Sequence, residues 1–392
     1  MPGRVDHLKS ISRERRVRLT GVSRGATRSG KEAGPRADTR PGAQRAGAAV
    51  ATTIHDVARA AGVSPATVSR VFNGGRVTAE RAERVRTAAT ELGFAPNRVA
   101  RSLRTQRASV IGLLIPDIEN PFFTAMARGV EDAAQQTNLS VVLCNTDEDV
   151  AKERRYLEIA LAEQMAGVIV AAASRSRTDL SALESRKMPV VAVDRRPRGS
   201  TVDVVLVDNA HGAEEATWHL FERGYRRLAC LTGPEGASTS EERLAGYRTA
   251  VRDFVRENPT ETRAAEALRE ERIRYADFRV EGGHRAMREL LALPEPPDAV
   301  FAANNLMAVG ALQALAEAGL AAPGFGVLSF GEIPWAPLVR PSLSTVRLPS
   351  YDLGFTAATL LQERISGGER PLQTVVLRTE LHARESTAGP GA

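Results

Sequence analysis

Cysteine is nearly missing from this chain. Cys144 and Cys230 are the two copies among 392 residues, which argues against a disulfide framework and leaves no cysteine-based metal spacing. Each lies in an apolar run, VVLCN and LACLT, where a reduced packing cysteine in a buried strand is expected. Lysine is scarce as well: arginine outnumbers it 49 to 4, a bias that a GC-rich genome produces, so no single arginine is read as chosen for its fork geometry. No run of about 18 apolar residues occurs, and no apolar core of a signal peptide follows the early arginines. The expectation is a cytoplasmic protein without a membrane span. Catalytic signatures are missing too: there is no G-x-G-x-x-G after a strand and no H-E-x-x-H. The single G-x-S-x-G and G-x-x-x-x-G-K spacings, overlapping in Gly21–Lys31, have no apolar strand before them and no Ser or Thr after the lysine, so neither reads as a nucleophile elbow or a phosphate cradle. His211 and His219 share a predicted helix without a partnering ligand motif. These absences favour a protein that is not an enzyme and carries no cofactor and no metal.

What is present concentrates in residues 53–73, TIHDVARAAGVSPATVSRVFN. Apolar or small residues at Ile54, Val57, Ala58, Ala61, Val63, Val68 and Val71 follow a helical period that is broken once, at Gly62, and then resumes. Glycine reaches positive φ without a Cβ penalty, so Ala61-Gly62-Val63 can reverse the chain between two helices. Ser64 is placed to accept from the free N–H groups of the second helix, and Pro65 suits its first position. The outer face of that helix carries Pro65, Ala66, Thr67, Ser69, Arg70 and Asn73, small or hydrogen-bonding groups suited to a groove of base edges and phosphates. The alternative for such a pair is an ordinary helical hairpin.

Charge divides the chain in the same place. Residues 1–52 hold 12 basic and 4 acidic side chains and residues 53–109 hold 10 and 4, whereas the remainder holds 31 and 39. A basic amino end on an acidic body is the footprint of a nucleic-acid contact confined to that end. The first 52 residues have no apolar period and are rich in Arg, Gly, Ala, Ser and Thr, so they are expected to be disordered. They read either as a basic arm that adds salt-dependent phosphate affinity or as an upstream extension from a misassigned start codon.

Residues 53–103 closely resemble the lactose-repressor/galactose-repressor family of bacterial transcription regulators, and the resemblance runs on to about Thr387. Val77-Thr78-Ala79-Glu80-Arg81 resembles the start of the family's third helix, with Thr78 as its N-cap and Val85, Ala88, Ala89 and Leu92 continuing an apolar stripe. Gly93-Phe94-Ala95-Pro96-Asn97 ends the module, and Arg98–Arg104 is similar to the hinge helix, where Leu103 matches the leucine that wedges into the minor groove. The resemblance thus implies DNA contacts from Thr53, His55, Ser64, Pro65, Ala66, Thr67, Ser69, Arg70 and Asn73, and from Asn97, Arg98, Ala100 and Leu103 in the hinge.

Beyond the basic segment, apolar runs alternate with amphipathic stretches. Val110–Ile115, Val141–Leu143, Val168–Val170 and Val190–Val193 read as short strands buried on both faces, with helices at Phe122–Gln136 and Lys152–Gln164. A second series begins near Asp203, with strands at Val204–Val207, Leu228–Leu231, Ala299–Ala302 and Val327–Phe330. Its helices fall at His211–Arg223, Glu241–Val255, Gly282–Leu291 and Leu306–Ala318. The expected class is α/β: an all-α helix-turn-helix headpiece followed by two doubly wound parallel-sheet subdomains, which the resemblance makes periplasmic-binding-protein-like. The expected divisions are a basic extension (1–52), the headpiece (53–95), a hinge helix and linker (96–108), a two-lobed effector and dimerisation domain (109–387) and a short tail (388–392). The resemblance adds that the chain crosses between lobes several times, with Ser344–Arg347 returning.

Ligands of such folds bind at the carboxyl ends of the strands. There the resemblance places effector contacts at Asn120, Phe122, Phe123, Asp194, Arg195, Arg243, Phe278 and Asn305, and Trp335 offers a stacking surface at the cleft mouth. Asp194 and Arg195 can equally pair with one another, and Arg243 can cap a helix. Two departures stand out: Asn304-Asn305 where the family usually has Asn-Asp, and Phe330-Gly331-Glu332-Ile333-Pro334 where it usually has Phe-Asp-Asp-Ile-Pro. A carboxamide keeps one acceptor but adds a donor and removes charge, so the resemblance leaves the effector open. It implies a repressor that binds a palindromic double-stranded operator as a homodimer and responds to a sugar or related metabolite. The other readings are an activator, a cytoplasmic sensor acting through protein contacts, and a solute-binding receptor, which would need export and no helix-turn-helix.

Overall fold

The computed structural model describes residues 52–72, 75–94 and 109–391. The expectations for residues 1–51, for Asn73 and for the hinge residues Asn97, Arg98, Ala100 and Leu103 lie outside these. The chain divides into two compact units, Met1–Pro96 and Asn97–Ala392.

The first unit holds three helices, α1 (Ile54–Ala61), α2 (Pro65–Phe72) and α3 (Ala79–Glu91). Gly62 closes α1 at φ +62°, and the N–H of Val63 reaches back to the Ala58 carbonyl, which is the reversal its position in the apolar period predicts. The Ser64 hydroxyl accepts the Thr67 N–H at 3.2 Å and so caps α2. Thr78 stands at the start of α3 as expected, but its hydroxyl makes no capping bond; only its carbonyl accepts, from Ala82. Val57, Ala58, Ala61, Val68, Val85, Ala88 and Ala89 form the small buried core, and Phe72 meets Phe94 at its edge, centroids 5.9 Å apart.

The second unit is two lobes, each built on a six-stranded sheet. Lobe 1 uses β1 (Val110–Ile115), β2 (Ser140–Asn145), β3 (Gly167–Val170), β4 (Val190–Val193), β5 (Asp203–Val207) and β11 (Thr374–Leu377), in the order β11-β5-β4-β3-β1-β2, every pair parallel. Lobe 2 uses β6 (Leu228–Thr232), β7 (Ile273–Tyr275), β8 (Ala299–Ala302), β9 (Gly326–Phe330), β10 (Ser344–Arg347) and β12 (Glu380–His382), in the order β12-β10-β9-β8-β6-β7. Its edge strand β12 runs antiparallel to β10, so this sheet is not wholly parallel as expected. A second correction concerns β5, which pairs with β4 and β11 in lobe 1 rather than opening the second sheet. A third concerns β2, an edge strand with Val142 and Leu143 exposed rather than a strand buried on both faces.

Helices cover both faces of the sheets. In lobe 1 these are α4 (Pro121–Gln136), α5 (Val150–Ala162), α6 (Ser181–Ser185) and α11 (Ser350–Ile365); lobe 2 has α7 (Asn209–Glu222), α8 (Ser238–Glu257), α9 (Val280–Leu291) and α10 (Asn305–Glu317). Along β1, Ile111, Leu113 and Ile115 enter one apolar cluster while Leu114 enters the cluster on the opposite face. The α4 and α11 helices touch backbone to backbone: a Cβ at Gly129 would run into the Tyr351 carbonyl and one at Gly354 into that of Met126. The chain passes between lobes after β5, after β10 and after β11, which sets both sheets with their carboxyl ends toward a shared cleft. Cys144 is half-buried in lobe 1 and Cys230 buried in lobe 2, both free thiols.

Candidate functional site

In the helix-turn-helix unit, the exposed side of α2 presents Ser64, Ala66 and Arg70, with Pro65, Thr67 and Ser69 half-buried beside them. Val68 is turned fully inward, so the one-in-four rhythm of the sequence separates the packed side of α2 from the side free to meet a partner. Thr53 and His55 are exposed at the start of α1. Asp56 accepts both the N–H and the hydroxyl of Thr53, at 3.0 and 2.6 Å, and these bonds hold its carboxyl below the usual carboxylate range.

In the two-lobed unit, the two lobes face one another across a cleft with about 520 Å³ of empty space, open solvent included. The walls come from strand ends and the segments that follow them. Asn120, just past β1, caps α4 by accepting the Phe122 N–H at 3.0 Å, and the rings of Phe122 and Phe123 meet edge to face, centroids 4.9 Å apart. Asp194 and Arg195 follow β4; Asp194 takes φ +64°, a backbone conformation costly for a residue with a Cβ. Arg195 is 4 % exposed and held by Glu148 through two bonds, at 2.5 and 2.9 Å, and by the Ala172 carbonyl at 3.3 Å. Burial alone would lower its pKa; the carboxylates of Glu148, Asp194 and Glu153 together outweigh burial and raise it. Phe278, itself at φ +61°, lies beneath this guanidinium at 5.6 Å.

Arg243, on the second turn of α8, is 6 % exposed and lies over the Phe330 ring at 4.2 Å. Its bonds go to neutral oxygens, Asn209 Oδ1 and the Ala303 carbonyl, both at 2.8 Å. Burial pushes its guanidinium down to about 10, opposed by the nearby Asp194 carboxylate, so it is a cation at neutral pH. Asp194 is raised by burial, against the pull of Arg195 and Arg243. Two atoms here are buried without a hydrogen-bond partner, Asp194 Oδ1 and Arg195 Nε, although the second stands 3.5 Å from Asp194 Oδ2. Across the cleft, Asn305 at the start of α10 exchanges two hydrogen bonds with Asn120, and Arg279 pairs with Asp117 at 2.5 Å.

Residues 53–97 match the profile described as "Bacterial regulatory proteins, lacI family", and residues 108–382 match "Periplasmic binding proteins and sugar binding domain of LacI family". The chain belongs to the LacI family. A curated relative, the ribose operon repressor of Halalkalibacterium halodurans (strain C-125), is 38 % identical over 86 % of this chain and 98 % of its own length. Among solved structures, a complex of the transcriptional regulator CelR with cellobiose is 32 % identical with a TM-score of 0.64 and covers 86 % of this chain and 99 % of that one. The Lac repressor dimer bound to operator and the anti-inducer ONPF is 25 % identical with a TM-score of 0.74, again over 86 % and 99 %.

This LacI-family chain is therefore a DNA-binding transcription regulator by family, with a helix-turn-helix unit and a two-lobed effector fold. Eight of the nine expected effector residues, Asn120, Phe122, Phe123, Asp194, Arg195, Arg243, Phe278 and Asn305, line the one cleft. Trp335 does not: it is 37 % exposed in the turn after Ile333-Pro334, outside the cleft wall, and its expected place at the cleft mouth is withdrawn. Sequence reasoning missed Glu148, Asp117 and Arg279, which line the cleft as the partners of Arg195 and of each other. Glu148 follows Asp147 in a turn where both residues take positive φ, a conformation that the letters TDED do not announce. Asp117 sits in DIENP, three residues before the helix cap, and was a readable candidate because it lies two residues past the end of the first strand. Among the described residues no helix is long and apolar enough to cross a membrane, and no group of three His, Cys, Asp or Glu side chains could hold a metal ion.

Proposed function

We propose that this chain is a cytoplasmic repressor, without catalytic turnover, whose hold on a twofold-symmetric operator is adjusted by a sugar in the interlobe cleft. The observation that carries the reading is the pairing of orphaned polar atoms with aromatic faces in that cleft. Asp194 Oδ1 needs a donor and Arg195 Nε needs an acceptor, both sealed from bulk water, while Phe122, Phe278 and Phe330 supply apolar surface. A vicinal diol both donates and accepts, and a sugar ring adds an apolar face that suits an aromatic wall. The names of relatives support this chemistry, one for a ribose operon and one solved with cellobiose.

On the DNA side, α2 enters the major groove with Ser64, Pro65, Ala66, Thr67, Ser69 and Arg70 at base edges and phosphates, Thr53 and His55 meet the backbone, and two copies of the chain address two half-sites. Asn73 and the hinge residues Asn97, Arg98, Ala100 and Leu103 complete the contact set in this reading. Selection of bound duplexes from a random pool by the full chain tests it. The expected outcome is an inverted repeat, enriched at defined salt; recovery of unrelated sequences without symmetry would overturn the reading.

A further inference from the structure

We infer that Asn120 and Asn305 form a neutral latch between the two lobes, and that this latch sets how readily the cleft opens. The two residues stand 185 positions apart and are 5 % and 2 % exposed. Asn120 Nδ2 donates to Asn305 Oδ1 at 3.2 Å and Asn305 Nδ2 donates to Asn120 Oδ1 at 3.0 Å. Their orientation is fixed from outside the pair. Asn120 Oδ1 also accepts the Phe122 N–H at 3.0 Å, and Asn305 Oδ1 the Leu306 N–H at 2.9 Å, so each oxygen is held at its own helix end and each amino group points across the cleft. A Cβ built at Gly331, which takes φ +97°, would come within 3.3 Å of Asn305 Cβ, so the glycine leaves room for that side chain.

Two ion pairs also span the lobes. Arg175 meets Glu241 at 2.9 Å, but both are about half exposed, where water and salt weaken the attraction; Asp117–Arg279 is better shielded. The amide pair is buried and uncharged, so its contribution persists at any salt concentration and at any pH where the chain is folded. A carboxylate at position 305 accepts from Asn120 but has nothing to donate in return, so the carboxamide is what makes the exchange reciprocal. Its regulatory meaning rests on the effector reading above: an effector that favours apart or joined lobes works against or with this latch.

The test uses the full chain with Cys144→Ser, spin labels at Arg154→Cys in lobe 1 and Arg288→Cys in lobe 2, and no sugar or DNA; Cys230 is fully buried and stays unlabelled. Asn120→Ala and Asn305→Ala are each expected to shift the ratio of short to long interlobe distances about tenfold toward long ones, and the double variant no further, at both 0.1 M and 1 M salt. Asn305→Asp, which keeps one of the two bonds, is expected to shift it by a smaller factor and serves if the alanine variants fail to fold. Distances unchanged from the parent, or single effects that multiply in the double variant, would overturn the latch. Because no sugar or operator enters this measurement, such a failure leaves the effector reading standing, and a failed operator selection leaves the latch standing.

Discussion

Asp203 illustrates how one side chain can tie distant parts of the chain together. It accepts from Arg364 at 2.9 and 3.2 Å, from Arg370 at 2.9 and 3.2 Å and from the Gln373 N–H at 2.8 Å, joining the start of β5 to the end of α11 and to the segment that leads into β11. Burial would raise its pKa, but the two guanidiniums outweigh it and hold the carboxyl at about 2. A depressed folded-state pKa means that the stabilisation is fully present above the ordinary value of 3.8 and is lost as the pH falls through 2. Asp203→Asn is therefore expected to lower the unfolding free energy by roughly 2 kcal/mol at pH 7, with the gap closing progressively below pH 4. Urea titrations of both proteins across that range check it, and a gap independent of pH would count against the assignment. Nothing in the letters around Asp203 reveals this role, because its partners lie more than 160 residues downstream. Gly62 and Ser64, by contrast, are legible at sight, since each acts on the backbone within three residues of itself.

At the scale of elements, local chemistry was sufficient for most long helices and central strands, although the 16-residue α11 was not anticipated. The helices α4, α7 and α10 begin within two residues of where their apolar period predicts, each capped by a side chain: Asn120, Asp208 and Asn304. Edge elements escaped. The strands β7 and β12 have three residues and β11 has four, and each lies at a sheet margin where one flank needs no apolar residue. The burial of β2 was misread for the same reason: SVVLCN is apolar enough for a sheet interior but occupies an edge. The turn between α1 and α2 supplies the prediction at this scale. Gly62→Val forces a branched side chain into φ +62° with no clash to relieve, so its cost is conformational, roughly 1 to 2 kcal/mol. Limited proteolysis is expected to cut within residues 52–94 more readily in this variant while sugar affinity is unchanged; equal cleavage rates would contradict the role given to the turn.

For the whole molecule, the division of charge and the division of fold coincide. The basic residues 53–109 contain the helix-turn-helix unit, and the net-acidic remainder contains the lobes that enclose the cleft. Long-range attraction to a phosphate backbone thus acts on the amino end, while the acidic body disfavours wrapping of DNA around the sensor. The cleft depends on crossings that no local pattern encodes: three passages of the chain set Arg243 of one lobe near Asp194 of the other, and only the resemblance to a family made that arrangement readable in advance. Operator affinity measured at fixed salt as a function of sugar concentration tests the account most directly, with pentoses, hexoses and a disaccharide each compared in the parent and in Arg243→Leu. The account predicts that at least one sugar changes the parent's affinity fivefold or more, within the usual range of allosteric coupling, and that Arg243→Leu still binds the operator but loses that response. A parent whose affinity stays within twofold for every sugar, or a variant that responds as the parent does, would contradict it.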